Sequence, residues 1–162
     1  MTYASKTILF CAALALAGCG GAARFGEADA VNLNTAASAP ASPAYFQQAV
    51  GDRVLFAVDQ STLSAQARDT LDAQAEWLMS NSDYRAVIEG HADEQGTREY
   101  NLALGARRAN AVREYLVSRG VAGSRLKTVS YGKERPIEVC SDESCYAKNR
   151  RAVTVISVTP TG

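Results

Sequence analysis

Short apolar runs alternate with longer amphipathic stretches between residues 52 and 158, and this alternation restricts the fold more than any other feature of the chain. Four runs have the length and the apolar or β-branched content that predict strands. They cover residues 54–58, 85–91, 126–131 and 152–158.

Two helices are predicted between these strands. Ser61 or Ser64 can cap the first helix, and Gly120 is suited to end the second, which covers residues 97–119. Apolar residues of the first helix recur at helical spacing, at Ala67, Leu71, Ala75 and Leu78. The resulting order, β-α-β-α-β-β, predicts a two-layer α/β sandwich with at least some parallel strand pairing.

Charge and residue counts exclude several classes of function. Lys plus Arg and Asp plus Glu are both 17, so the formal net charge is zero. Proteins that bind nucleic acid through bulk electrostatics carry a cationic excess, and we therefore expect no nucleic-acid partner. The one histidine of the chain, His91, excludes a site built from two or three imidazoles.

The start of the chain is typical of an export signal. Lys6 precedes an apolar run over residues 8–17, which is too short to span a bilayer as a helix. The segment Leu16-Ala17-Gly18-Cys19 that follows resembles the bacterial lipobox. This resemblance implies a signal peptide over residues 1–18, cleavage before Cys19 and acylation of that cysteine.

A low-complexity stretch separates this signal from the predicted strands. Residues 20–50 are dominated by Ala, Gly, Ser, Asn and Pro, a composition that buries too little apolar surface to fold. We expect residues 19–50 to form a lipidated N-terminus and flexible linker, and residues 51–162 to form the folded domain. Gly20, rather than Asp, after the cysteine implies sorting to the outer membrane in many Gram-negative bacteria.

Four polar motifs occur in a fixed succession in the second half of the chain. They are EGHADEQGTREYN at residues 89–101, LALGARRANAV at 102–112, VSYGKERP at 129–136 and YAKNRRAV at 146–153. Their order and spacing resemble the OmpA C-terminal-like domain family, and within it the group of peptidoglycan-associated lipoproteins. The resemblance covers residues 52–158 and implies a mixed sheet with two long helices on one face.

The same resemblance implies a ligand and the residues that bind it. Members of the family bind the diaminopimelate of the peptidoglycan stem peptide through an Asp and an Arg, which correspond here to Asp93 and Arg108. The chemistry agrees, because the free end of that side chain carries an ammonium and a carboxylate on one carbon. A carboxylate accepts from the first, and a guanidinium binds the second with two parallel bonds.

Further contacts are expected around this pair. Gly96 and Thr97 lie where backbone N–H groups at a helix start can bind an anion, and Asn101 shares a helix face with Arg108. For Asn101, a loop-fixing hydrogen bond is an equally good interpretation. An alternative for Asp93 is a helix-dipole charge. Arg107 is predicted to be solvated, and Asn149 and Arg150 to pin the last strand near the site.

Glu89, His91 and Asp93 alternate along a strand and so can share a face. This pattern permits an alternative function, a periplasmic metal-dependent cell-wall hydrolase. A zinc site with one imidazole is unusual, however, and the family binds without catalysis. We therefore expect no enzyme activity, no metal and no cofactor.

Cys140 and Cys145 enclose four residues. Metal ligands or a redox pair remain possible at this spacing, but the exported compartment is oxidising and a structural disulfide is the default. Many family members lack these cysteines. Ala57 and Gln95 also depart from the family, where an acidic and a basic residue are common.

The resemblance implies partners as well as a ligand. We expect a tether between the outer membrane and the peptidoglycan stem peptide, with the globular domain in the periplasm. It further implies membership of the Tol–Pal system, which acts in envelope integrity and cell division, with TolB as a protein partner.

Overall fold

Four strands form one mixed sheet in the computed structural model, which describes residues 39–158. The strands are β1 (Arg53–Leu55), β2 (Tyr84–His91), β3 (Leu126–Gly132) and β4 (Arg151–Val158). Their order across the sheet is β1-β4-β2-β3. Strand β4 is antiparallel to both neighbours, whereas β2 and β3 are parallel, as expected for strands joined by a helix.

The two predicted helices are α2 (Ala65–Ser80) and α3 (Arg98–Ser118). Ser64 caps α2 by accepting the Ala67 N–H at 3.1 Å, and Thr97 caps α3 by accepting the Tyr100 N–H at 3.2 Å. Helix α3 ends before Gly120, whose φ of 102° lies in the left-handed region that favours glycine.

Both helices lie against the same side of the sheet. Gly90 on β2 meets the backbone of Gly105 on α3, while Thr154 on β4 donates its hydroxyl to Gln74 Oε1 on α2 at 2.8 Å. Gly90 and Thr154 point to the same face, because the β2–β4 register pairs Ile88 with Thr154 and Gly90 with Ala152. The predicted fold class, a two-layer α/β sandwich with a mixed sheet, is confirmed.

The structure adds a short helix, α4 (Glu143–Asn149), that the predicted order lacked. Its seven residues are too few for a periodic pattern, and its stability depends on a local cap. Asp142 provides that cap by accepting the N–H groups of Ser144 and Cys145 at 2.8 and 3.2 Å. A single 3₁₀ turn, Gly123–Arg125, precedes β3.

The prediction of a flexible linker is wrong for residues 39–50. They form a helical turn, α1 (Pro43–Tyr45), that continues into a π-helical turn (Phe46–Gly51). Phe46 is fully buried with its ring centroid 4.9 Å from that of Trp77, and the Trp77 indole N–H donates to the Pro40 carbonyl at 2.7 Å. Aromatic packing and the hydrogen bond to Pro40 therefore hold this segment against α2, despite its low-complexity composition.

The predicted signal peptide over residues 1–18, the acylated Cys19 and the linker up to residue 38 lie outside the described residues. Among the helices of residues 39–158, none combines the length and the apolar character needed to span a bilayer.

Candidate functional site

Asp93 and Arg108 belong to one site at the end of β2. Asp93 lies two residues beyond the strand, and Arg108 lies in the third turn of α3. Arg108 Nη1 donates to the carbonyl of His91, two residues before Asp93, at 2.8 Å. The fold therefore brings the two predicted residues together, as the spacing of the motif requires.

Arg108 is fully buried and holds three backbone carbonyls. Its Nε donates to Gln60 O at 2.8 Å, its Nη1 to His91 O at 2.8 Å and its Nη2 to Ala57 O at 3.1 Å. Burial lowers the pKa of Arg108 to about 10, so the guanidinium stays charged at neutral pH. These bonds use three of its five N–H groups. The hydrogen bonds that Arg108 makes in the structure hold the backbone, and contact between Arg108 and a ligand carboxylate stays a prediction.

Asp93 is nearly buried, with 7% of its surface exposed. Its Oδ2 accepts from Arg150 Nη1 at 3.2 Å, and its Oδ1 accepts the Gln95 N–H at the longer distance of 3.3 Å. Arg150 also pairs with Glu143 and donates to the Phe56 carbonyl at 3.2 Å. Arg150 thus links the segment that follows β1 to Asp93 and α4, and Oδ1 is the more weakly engaged of the two Asp93 carboxylate oxygens.

A cavity of about 240 Å³ opens beside Asp93. It lies between the chain that leaves β1 and the start of α3, and it has both polar and apolar walls. Its lining residues are Val58, Asp59, Asp93, Gln95, Gly96, Tyr100, Asn101 and Leu104. Arg108 is fully buried and is not one of the lining residues, but it bonds to the carbonyls of Ala57 and Gln60, which flank the lining residues Val58 and Asp59.

The three further contact residues, Gly96, Thr97 and Asn101, divide into two groups. Gly96 and Asn101 line the cavity, and Asn101 Nδ2 also donates to Gln95 O at 2.8 Å. Asn101 therefore fixes the loop and faces the cavity. Thr97 is outside the lining, and its hydroxyl caps α3.

Three lining residues of the cavity, Val58, Asp59 and Tyr100, were not predicted from the sequence. Val58 and Tyr100 are about half exposed, and the Tyr100 hydroxyl donates to Asp59 Oδ1. Asp59 has a φ of 56°, a left-handed conformation that Asp tolerates better than most residues. No local pattern marks these residues, because the chain after β1 reaches α3 only in the folded protein.

The alternative site of Glu89, His91 and Asp93 does not form. Within residues 39–158, the three side chains whose ligand atoms lie close enough together to bind one metal ion are Cys140, Asp142 and Cys145. Glu89, His91 and Asp93 do not form such a group. His91 is 2% exposed with its Nε2 3.6 Å from Glu89 Oε2, while the Asp93 carboxylate pairs with Arg150. The structure thus contradicts a metal-dependent hydrolase built on this trio.

His91 predicts a pH dependence of stability. Burial, with Arg151 and Arg135 nearby, lowers the pKa of His91 to about 4 and outweighs the attraction of Glu89. The unfolded chain, with a pKa near about 6.5, then binds more protons between these two values. Stability should therefore fall as pH drops from about 6.5 to about 4, by on the order of 2–3 kcal/mol.

Urea unfolding of wild type and His91→Phe across pH 4 to 7 measures this effect. The two proteins share all carboxylates, so the difference between their curves isolates the imidazole. Parallel curves would mean that His91 titrates normally in the folded protein.

The structure joins Cys140 and Cys145 in a disulfide, with their Cα atoms 6.0 Å apart. The bridge closes the turn that carries the Asp142 cap of α4. Asn149, at the end of α4, accepts the N–H groups of Ile137 and Glu138 at 2.9 and 3.2 Å. It therefore pins the loop between β3 and α4.

Comparisons with known proteins agree with this architecture. A family model described as "OmpA family" matches residues 55–150. A curated relative named peptidoglycan-associated lipoprotein, from Mesorhizobium japonicum, is 55% identical over 151 residues, which are 93% of this chain and 90% of the relative.

Solved structures give the same result at the level of coordinates. The crystal structure of the peptidoglycan-associated lipoprotein from Burkholderia pseudomallei matches with a TM-score of 0.66 and 38% identity, over 74% of this chain and 98% of that one. The C-terminal domain of Helicobacter pylori MotB matches with a TM-score of 0.62 over 67% and 86% of the two chains. At 21% identity, it supports the fold alone.

Proposed function

Because the chain belongs to the OmpA family, we propose that it is a non-enzymatic lipoprotein that binds peptidoglycan through the diaminopimelate of the stem peptide. The observation that carries this proposal is the cavity beside Asp93, whose lining residues Val58 and Asp59 lie in the segment that Arg108 holds through the carbonyls of Ala57 and Gln60. The names of the relatives support association with peptidoglycan.

The two charges of the ligand have separate partners in this proposal. The ammonium donates to Asp93 Oδ1, the carboxylate oxygen that accepts only a long bond from Gln95. The ligand carboxylate binds Arg108 by displacing the Ala57 carbonyl, whose 3.1 Å bond is the longest of the three. The planar guanidinium suits this replacement of a carbonyl by a carboxylate, because it offers parallel N–H groups to both carboxylate oxygens.

The cavity limits the size of what it binds. A volume of about 240 Å³ accommodates the small zwitterionic end of an amino acid. Val58 and Tyr100 at its mouth offer apolar surface to the aliphatic stem of the ligand. The rest of the peptide and the glycan remain outside.

The cellular role follows from the anchor and the ligand together. Acylation of Cys19 would hold the chain in the outer membrane, and the domain would bind the cell wall from the periplasmic side. Such a tether fits the Tol–Pal system, with TolB as partner and a contribution to envelope integrity and cell division. Palmitate labelling of wild type, compared with Cys19→Ala, tests the anchor; equal labelling would refute it.

Asp93→Asn is expected to weaken binding of the protein to purified sacculi about ten- to a hundredfold, since a bond to a charged group contributes about 1.5–3 kcal/mol. The measurement is cosedimentation over a range of protein concentrations. Asp83→Asn is the matched control, because it removes the same charge at an exposed position at the opposite end of β2.

Competition identifies the chemical group that is bound. A stem tripeptide that ends in meso-diaminopimelate should release the wild-type protein from sacculi. The same tripeptide ending in lysine should not, because its side chain carries the ammonium without the second carboxylate. Unchanged cosedimentation of Asp93→Asn would contradict the proposed site. New muropeptides released from the sacculi would contradict the absence of catalysis.

A further inference from the structure

The loop closed by the disulfide reaches the ligand site through two separate sets of contacts. We call residues 140–146 the disulfide loop. It contains Cys140, Cys145 and the first residues of α4. Its contacts end on Asp93 and Glu94, which are consecutive at the edge of the cavity.

The first set of contacts passes through Arg150. Glu143, in the disulfide loop, forms an ion pair with Arg150, and Arg150 Nη1 donates to Asp93 Oδ2 at 3.2 Å. The side chains of Arg150 and Asp93 are 6% and 10% exposed, so their contact is largely shielded from water. Glu143 thus restrains the guanidinium that orients Asp93.

The second set of contacts ends on Glu94. Its Oε1 accepts two hydroxyl groups from the disulfide loop, Ser141 Oγ at 3.0 Å and Tyr146 Oη at 3.0 Å. The bond to Glu94 also raises the pKa of the Tyr146 hydroxyl. Lys133 holds the same segment from another direction by donating to Gly96 O at 2.7 Å.

The disulfide makes these contacts mutually dependent. Cys145 is 6% exposed and fixed in α4, whereas the rest of the loop, residues 141–144, is exposed. Exposed hydrogen bonds are weak individually and need a preorganised backbone to persist. The bridge to Cys145 supplies this restraint, because it closes the turn that carries Ser141, Asp142 and Glu143.

We propose that the Cys140–Cys145 disulfide and Glu94 are positioning elements of the ligand site, which hold Asp93 in the orientation that binds the ligand ammonium. This inference rests on the proposed function for the identity of the ligand. It assigns the disulfide loop a role in binding in addition to its local structural role.

The test compares wild type with Cys140→Ser/Cys145→Ser as full chains, with a stem tripeptide that ends in meso-diaminopimelate as the probe. We expect the affinity to fall about fivefold or more, in the range typical of coupling between sites. Hydrogen exchange should accelerate at residues 93–97 and stay unchanged in β2 and β3. If the serine variant does not fold, wild type reduced with a phosphine replaces it. In that reduction the phosphine is oxidised to its oxide with oxygen from water, and the disulfide gains two electrons and two protons to give two thiols.

Two further variants separate positioning from general stability. Glu94→Ala should by itself reduce affinity, and in that background the cysteine replacements should have a smaller additional effect, because both act through the same contacts. Lys148→Ala is the matched control, since Lys148 on α4 forms an exposed ion pair with Glu138 and neither residue bonds to Asp93 or Glu94. Its affinity should equal that of wild type.

Unchanged exchange at residues 93–97 in the disulfide-free protein would overturn the proposal, as would fully additive effects of Glu94→Ala and the cysteine replacements. Failure of the oxidised wild type to bind the tripeptide would instead refute the proposed function. In that case the exchange measurement alone supports or overturns the positioning role.

Discussion

Replacement of Arg108 by Ala should lower the free energy of unfolding by about 3–5 kcal/mol, a large fraction of the total for a domain of this size. The physical reason lies in the three carbonyls that Arg108 holds, those of Ala57, Gln60 and His91. Each buried acceptor that loses its donor costs about 1–3 kcal/mol, and the chain that leaves β1 loses its attachment to β2.

Urea denaturation followed by circular dichroism measures this effect. Arg107→Ala is the matched control. Arg107 is the neighbour of Arg108 in the chain, but its guanidinium is exposed and lies over the Tyr100 ring, 5.8 Å from the centroid. Its stability should stay within about 0.5 kcal/mol of wild type. A stable Arg108→Ala protein would show that water replaces the guanidinium at all three carbonyls.

This expectation changes how binding experiments on Arg108 are interpreted. Loss of sacculus binding by Arg108→Ala would combine a missing ligand contact with a displaced loop, so it cannot assign the contact alone. Arg108→Lys keeps the charge but cannot reach three carbonyls in different directions. Asp93→Asn is the cleaner variant, because Arg150 keeps its partner Glu143.

Features that depend on local sequence were predictable. The cap at Ser64 and the stop at Gly120 involve residues within four positions of the helix ends. The apolar spacing of α2 likewise follows from helix geometry alone. The assignment of Asp93 and Arg108 to one site was inferred from the resemblance of a motif that lies in one continuous stretch of chain.

Features that depend on distant residues were not predictable. Phe46 packs against Trp77, which lies 31 positions later in the chain, and the carbonyls that Arg108 binds are 17, 48 and 51 residues away from it. The motif therefore identified Arg108 but not its burial. Hydrophobic periodicity contains no information about which backbone carbonyls a side chain will meet.

The second large effect is expected from Gly90→Ala, which should destabilise the domain by at least about 3 kcal/mol or prevent folding. A Cβ at position 90 would lie 1.8 Å from the Gly105 carbonyl oxygen and 2.6 Å from its carbon. Both atoms belong to the backbone of α3, so the clash is relieved only if the whole helix moves away from β2.

Such a movement would also alter the site. Gly105 lies about one turn before Arg108 on α3, and Gly90 lies three residues before Asp93. The contact between the two glycines therefore sets the distance between the elements that carry the carboxylate and the guanidinium. Any folded Gly90→Ala protein should bind sacculi more weakly than wild type.

Thermal and urea unfolding of Gly90→Ala test this, with Gly123→Ala as the matched control. At Gly123 the added Cβ would meet only the end of the flexible Arg113 side chain at 3.2 Å and Val117 at 3.7 Å. We expect that substitution to change stability by less than about 1 kcal/mol. Similar stabilities for the two alanine variants would mean that α3 is free to shift, and that the close approach to β2 is not what fixes the Asp93–Arg108 geometry.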